Sequence, residues 1–116
     1  MVNLTVPSQG YSDYLKTLSL TGASEAGNDT TYVDVVNISG AGILFSCGIG
    51  TLDPGGAWNV EITIDGGAAQ ELTLQDSNGL LFQSFPLQCA FTTSLRVRMK
   101  LGAVGTARYW AWYGVE

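Results

Sequence analysis

Apolar and polar residues alternate along most of this 116-residue chain, and a period of two belongs to β-strands. The alternation is firmest over Ala57–Leu74, where Trp58, Val60, Ile62 and Ile64 interleave with Asn59, Glu61, Thr63 and Asp65. Asp65-Gly66-Gly67 then supplies residues tolerant of positive φ, and Leu72 and Leu74 resume the alternation, which predicts a β-hairpin. Ser94–Leu101 is as clear, with Leu95, Val97, Met99 and Leu101 opposite Arg96, Arg98 and Lys100. Tyr32–Ile38 is apolar on both faces apart from Asp34 and reads as a central strand. In Ile43–Ile49 the expected faces are Ile43, Phe45, Cys47 and Ile49 on one side, Leu44, Ser46 and Gly48 on the other. Leu80–Phe85, then Leu87–Phe91 past Pro86, and finally Thr106–Tyr113 complete the set.

Turn formers separate these runs: Ser39–Gly42, Thr51–Gly56, Asp76–Gly79 and Gly102–Gly105. Seven or eight short strands at roughly 8–12-residue spacing predict an all-β fold, an antiparallel β-sandwich or barrel. The first 30 residues differ in texture. Val2–Val6 is a brief alternating run, Tyr14, Leu15, Leu18 and Leu20 are spaced apolar positions, and Thr21–Thr30 reads as a polar loop. Residues 1–30 are therefore either an N-terminal arm or the first strand, and residues 31–116 the β-sandwich domain.

Composition sharpens this picture in two places. Charged residues make up 13% of the chain, about half the usual share of roughly 25%, which hints that much of the surface meets protein. The formal net charge of −5 is also segregated. Lys16 is the only basic residue before Arg96, whereas Arg96, Arg98, Lys100 and Arg108 face Glu116 alone after it. An acidic chain lacks the dense basic footprint that nucleic acid needs. The basic strand is expected instead beside acidic strands of its own or a neighbouring subunit. No run approaches the roughly 18 apolar residues of a membrane helix, and Met1-Val2-Asn3-Leu4 lacks the features of a signal peptide. A cytoplasmic origin is expected, with Cys47 and Cys89 as buried thiols rather than a disulfide, although pairing stays open.

Catalytic chemistry has little to work with. There is no histidine, so no imidazole base or ligand, and two cysteines cannot build a four-cysteine zinc site. Asp53, Glu61, Asp65, Glu71 and Asp76 are the carboxylates available for acid/base work, but each has a simpler role in a turn or on a solvated face. Gly40–Gly50 lacks the lysine and following helix of a phosphate loop and reads as a glycine-punctuated strand. No catalytic residue, cofactor or metal is expected.

Arg108-Tyr109-Trp110-Ala111-Trp112-Tyr113 is the leading functional candidate. In a strand Arg108, Trp110 and Trp112 share one face, and Tyr109, Ala111 and Tyr113 the other. One face must be core. The second is a protein interface, a sugar-stacking platform or, if the strand is central and covered twice, more core. Arg108, Tyr109, Trp110, Trp112 and Tyr113 are accordingly the expected partner-binding residues.

Val36-Asn37-Ile38-Ser39-Gly40-Ala41-Gly42, then Val60–Gly67, then Ser94-Leu95-Arg96-Val97-Arg98 resemble the strand and turn texture of small β-sandwich virion proteins of tailed bacteriophages. These include capsid decoration (cement) proteins and compact domains of head and tail fibres. The resemblance spans roughly residues 31–113. It implies a jelly-roll-like subunit, commonly a homotrimer, that binds virion proteins such as the major capsid protein and has no catalytic site. Such a protein would reside in the virion and, during assembly, in the host cytoplasm. A carbohydrate- or receptor-binding module of a fibre is the alternative that the same resemblance allows.

Overall fold

The computed structural model describes residues 18–27, 30–51, 57–75 and 81–116. They form eight strands: β1 Ser19–Gly27, β2 Val33–Ser39, β3 Gly42–Thr51, β4 Ala57–Ile64, β5 Gln70–Gln75, β6 Leu81–Phe91, β7 Ser94–Leu101 and β8 Ala107–Val115. Two four-stranded antiparallel sheets result, in the orders β1-β8-β3-β6 and β2-β7-β4-β5. The pairs are nested. β4 pairs with β5, β3 with β6, β2 with β7 and β1 with β8, as in one long hairpin rolled up on itself. Rolling then brings β3 against β8 and β4 against β7, which completes both sheets. This is the jelly-roll form of the β-sandwich.

The core lies between the sheets. Leu44, Cys47, Ile49, Tyr109 and Ala111 meet Trp58, Val60, Ile62, Leu95, Val97 and Met99 across it, with Phe91 closing one end. Each fully buried aliphatic side chain here contributes about 1.5–3 kcal/mol of transfer free energy. Both thiols are free, Cys47 buried and Cys89 half-buried. Burial, with a smaller push from Cys89, raises the Cys47 thiol to about 12, so neither its thiolate nor its reactivity is available at neutral pH.

Four expectations change. Tyr32–Ile38 is not central, because β2 is the edge of its sheet. Its doubly apolar look comes from a bulge between Asp34 and Val36, which turns both Val35 and Val36 into the core. A second bulge, between Leu44 and Ser46, breaks the expected faces of β3. Leu44 joins Cys47 and Ile49 in the core, and Phe45 leaves that row. The polar segment Thr21–Thr30 is not a loop over its first seven residues, which belong to β1. As an edge strand under large neighbouring rings, β1 needs small residues rather than apolar ones. Finally, Leu80–Phe85 and Leu87–Phe91 merge into β6, because Pro86 sits on an edge strand, opposite the β3 bulge, where its missing N–H is tolerated. The expected apolar positions before Leu18, the loop at 52–56, the turn at 76–79, Asp53 and Asp76 lie outside the described residues.

Candidate functional site

The placement of the carboxylates decides whether acid/base chemistry is possible. Glu61 stands directly opposite Arg98 on the neighbouring strand, and Arg98 Nε donates to Glu61 Oε1 at 2.8 Å. Arg96 Nε donates to Asp34 Oδ1 at 2.8 Å. Glu71 accepts from the Tyr32 hydroxyl, and the Tyr32 ring lies 4.8 Å from the Arg98 guanidinium and 4.5 Å from Lys100 Nζ. Burial, then the Glu71 bond, holds the Tyr32 phenol well above its ordinary range. The basic strand thus lies between acidic strands of its own subunit. These charges form a structural lattice on the outer face of β2-β7-β4-β5, with no carboxylate pair left for acid/base work among them.

Asp65 has a different task. It and Gly66 take φ of 55° and 69°, and Gly67 N–H donates to the Ile64 carbonyl at 3.0 Å, a two-residue primed turn. Pairing with β5 resumes only at Ile62–Gln70, so the full reversal is wider than the sequence implied. From this turn the Asp65 carboxylate reaches the β6–β7 connection. It accepts from the backbone N–H of Thr92 at 2.8 Å, Thr93 at 2.7 Å and Ser94 at 3.2 Å, and from the hydroxyls of both threonines. These bonds, led by Thr93 N–H, hold the carboxyl well below the usual range. A depressed folded-state pKa means stabilisation that is complete above about pH 4 and is lost as pH falls toward the folded value. Asp34, held down chiefly by its bond from Arg96, acts with the same sign. Asp65→Asn should therefore be less stable than the parent at neutral pH and lose less on acidification below about pH 4. Melting temperatures measured across that range would test this, and parallel curves would remove Asp65 from the account.

The aromatic strand divides as its alternation requires. Tyr109 and Ala111 have no exposed surface, and Tyr113 is half-buried and packed against the core. Tyr109 therefore leaves the set of partner-binding residues, because it is part of what holds the sheets together. Arg108, Trp110 and Trp112 face outward from the β1-β8-β3-β6 sheet, away from the other sheet. β8 is internal to its sheet but not covered twice: Trp112 is 55% exposed and Trp110 half-buried.

The register explains how these rings lie. One rung runs Ser24–Trp110–Gly48 across β1, β8 and β3, and the next runs Gly22–Trp112–Ser46. A Cβ built on Gly48 would stand 2.3 Å from Trp110 Nε1, and one on Gly22 would stand 2.9 Å from Trp112 Cζ3. Each indole therefore lies flat over the neighbouring strand at the glycine of its own rung. Trp110 leans toward β3 and Trp112 toward β1, so each turns away from a serine on its other side. Arg108 occupies the next rung, between Ala26 and Gly50, and is exposed. Beyond Trp112, a shallow apolar recess of about 350 Å³ is lined by Leu20, Phe45, Trp112 and Tyr113. Gly22, Ser24, Ser46 and Gly48 are the members of this face that the sequence did not single out. Their signal is cross-strand pairing, which is visible only once the strand order is known.

A second apolar opening lies on the flank where β5 and β6 are the sheet edges. Ile62, Ile64, Leu72, Leu87 and Cys89 surround a recess of about 400 Å³, and Leu72 is 43% exposed. Among the described residues no group of three or more acidic, cysteine or histidine side chains is placed to hold a metal ion, and no helix is long and apolar enough to cross a membrane. Comparison of the chain with protein-family models, with curated proteins and with solved structures found no match.

Proposed function

We propose that the chain is a non-enzymatic structural protein of a tailed-phage virion, a trimeric capsid decoration (cement) protein. The observation that carries this reading is the open flank of the sandwich. An apolar recess between the β5 and β6 edges, with the half-exposed Leu72 in its lining, is an opening in the core that the described residues do not close. A second copy seated on that flank closes it, and a heterologous contact of this kind forms a ring when the rotation between copies closes. Three linked subunits then hold neighbouring capsid proteins through contacts that are individually weak and collectively strong. The jelly-roll order supports the reading only by fold-level analogy, since the same architecture serves capsid and lectin domains. The structural employment of Asp34, Glu61, Asp65 and Glu71 supports a binding role over a catalytic one.

Light scattering of the purified protein should give a trimer, and Leu72→Lys should give monomers with the same circular dichroism. A strictly monomeric parent would sink the assembly reading. Capsids stripped of accessory proteins should rebind the parent and not the Leu72 variant. The aromatic outer face favours a second reading, a carbohydrate- or receptor-binding module of a head or tail fibre.

A further inference from the structure

We infer that the outer face of β1, β8 and β3 is a binding site for a linear, uncharged oligosaccharide. Its sugar rings would stack on Trp110 and Trp112. The inference rests on the second reading, that this face binds, and is independent of how subunits assemble.

The orientation of the rings points to a flat ligand. An aromatic anchor at a protein interface works by filling a pocket in its partner. Trp110 and Trp112 cannot do so, because both lie down on their own sheet, over Gly48 and Gly22. What they present outward is a flat face. The complementary object is flat and apolar on one side, as a pyranose ring is across its C–H groups, and polar around its rim.

Polar groups lie at the margin of both rings. Ser24 lies beside Trp110 and Ser46 beside Trp112, each on the side from which the ring has turned away. Each stacking surface thus has a hydroxyl next to it that both donates and accepts. Arg108, one rung beyond Trp110, adds a planar fork of donors, and among the described residues it makes no ion pair. Hydroxyls beside a flat ring, repeated twice, match a polyhydroxylated ligand better than a hydrocarbon.

Spacing and charge narrow the class. The two residues are two positions apart on β8 and their rings lean to opposite neighbours, so their centres stand on the order of 10 Å apart. That separation is about the length of two linked hexopyranose units, so a chain crossing β8 diagonally would stack alternate sugars. Flat rings also stack nucleobases, but single-stranded nucleic acid binding relies on a positive groove that follows the phosphates. Here Arg108 is the single cation of the face among the described residues, on a chain of net charge −5. An uncharged ligand suits that balance, and a polyanion does not.

The test is an array of linear hexasaccharides built from neutral hexoses and N-acetylhexosamines, followed by titration of any hit against the full chain. At least one should bind and shift the indole N–H resonances of Trp110 and Trp112 while leaving that of Trp58 unmoved. Trp112→Ala should weaken binding at least about fivefold. Gly22→Ala keeps every aromatic residue but places a methyl group against the Trp112 ring, so it should weaken binding as well. Absence of binding across the array would overturn the inference, as would binding indifferent to Trp112→Ala. Tighter binding of an oligothymidylate, or shifts of the same indole resonances on addition of stripped capsids, would overturn it in favour of nucleic acid or protein. Because Leu72→Lys acts on the opposite flank, it should leave glycan binding per subunit intact, so failure of assembly and failure of glycan recognition remain separable.

Discussion

Trp58→Ala should cost about 3–5 kcal/mol, the range for removing a large aromatic side chain from a closed core. Trp58 is 1% exposed and stands on the inner face of β4, opposite Leu101 of β7. Removing it vacates the largest of the fully buried side chains, and its own strand is fixed by pairing on both sides. β4 is held by β5 and β7, so neither neighbour can move in to fill the space without breaking a ladder. A domain of this size has a total stability of about 5–15 kcal/mol, so the variant should be only marginally folded. Urea unfolding should show a large drop in midpoint at an unchanged slope. A loss below about 1 kcal/mol would mean that the sheets do not close over the ring.

Gly42→Ala should rank next, and for the opposite reason. Its Cβ would lie 1.9 Å from the Gly114 carbonyl oxygen and 2.8 Å from Phe91 Cζ. The first of these is backbone, in the strand that pairs with β3 through Gly42–Val115, and Glu116 N–H donates to the Ala41 carbonyl at 2.9 Å just beside it. A side chain could swing aside, but a paired carbonyl can yield only if β3 and β8 part. Overpacking typically costs about 1–3 kcal/mol, and a rigid obstacle puts this site at or above the upper end. Gly66→Ala is the useful comparison. Nothing lies within 4 Å of a Cβ there, so its cost is only that of a left-handed residue at φ 69°, about 1–2 kcal/mol. Thermal melts of the two variants should place Gly42→Ala well below Gly66→Ala, and the reverse order would show that the β3–β8 contact is loose.

Much of the fold was legible because its strands obey local rules. Leu95, Val97, Met99 and Leu101 alternate into the core without exception, and Asp65-Gly66 makes the turn that its chemistry dictates. Errors came where a residue's role is set by a neighbour distant in sequence. Val35 and Val36 both point inward because of a bulge against β7, and no period of two can announce that. β1 is polar and glycine-containing because the Trp112 indole lies over Gly22 and the Tyr109 ring against Gly27, both rings from β8, more than 80 residues away along the chain. The candidate face shows the same division. Alternation separated Arg108, Trp110 and Trp112 from Tyr109 and Ala111, which is a local statement. That the rings lie flat, and that each has a serine beside it, follows from the β1-β8-β3 order and was not readable from the strand itself.

The three tryptophans sit at three depths: Trp58 sealed in the core, Trp110 half-buried and Trp112 largely open to solvent. Indole emission moves to the red in water and is extinguished by collision with small solutes. The protein therefore carries separate optical signals for its interior and its outer face. A soluble quencher dims Trp112 first, while Trp58 keeps its blue emission until the sheets separate. A ligand that covers the face shields the first signal and leaves the second untouched. Folding and recognition can thus be followed in the same cuvette, without a label.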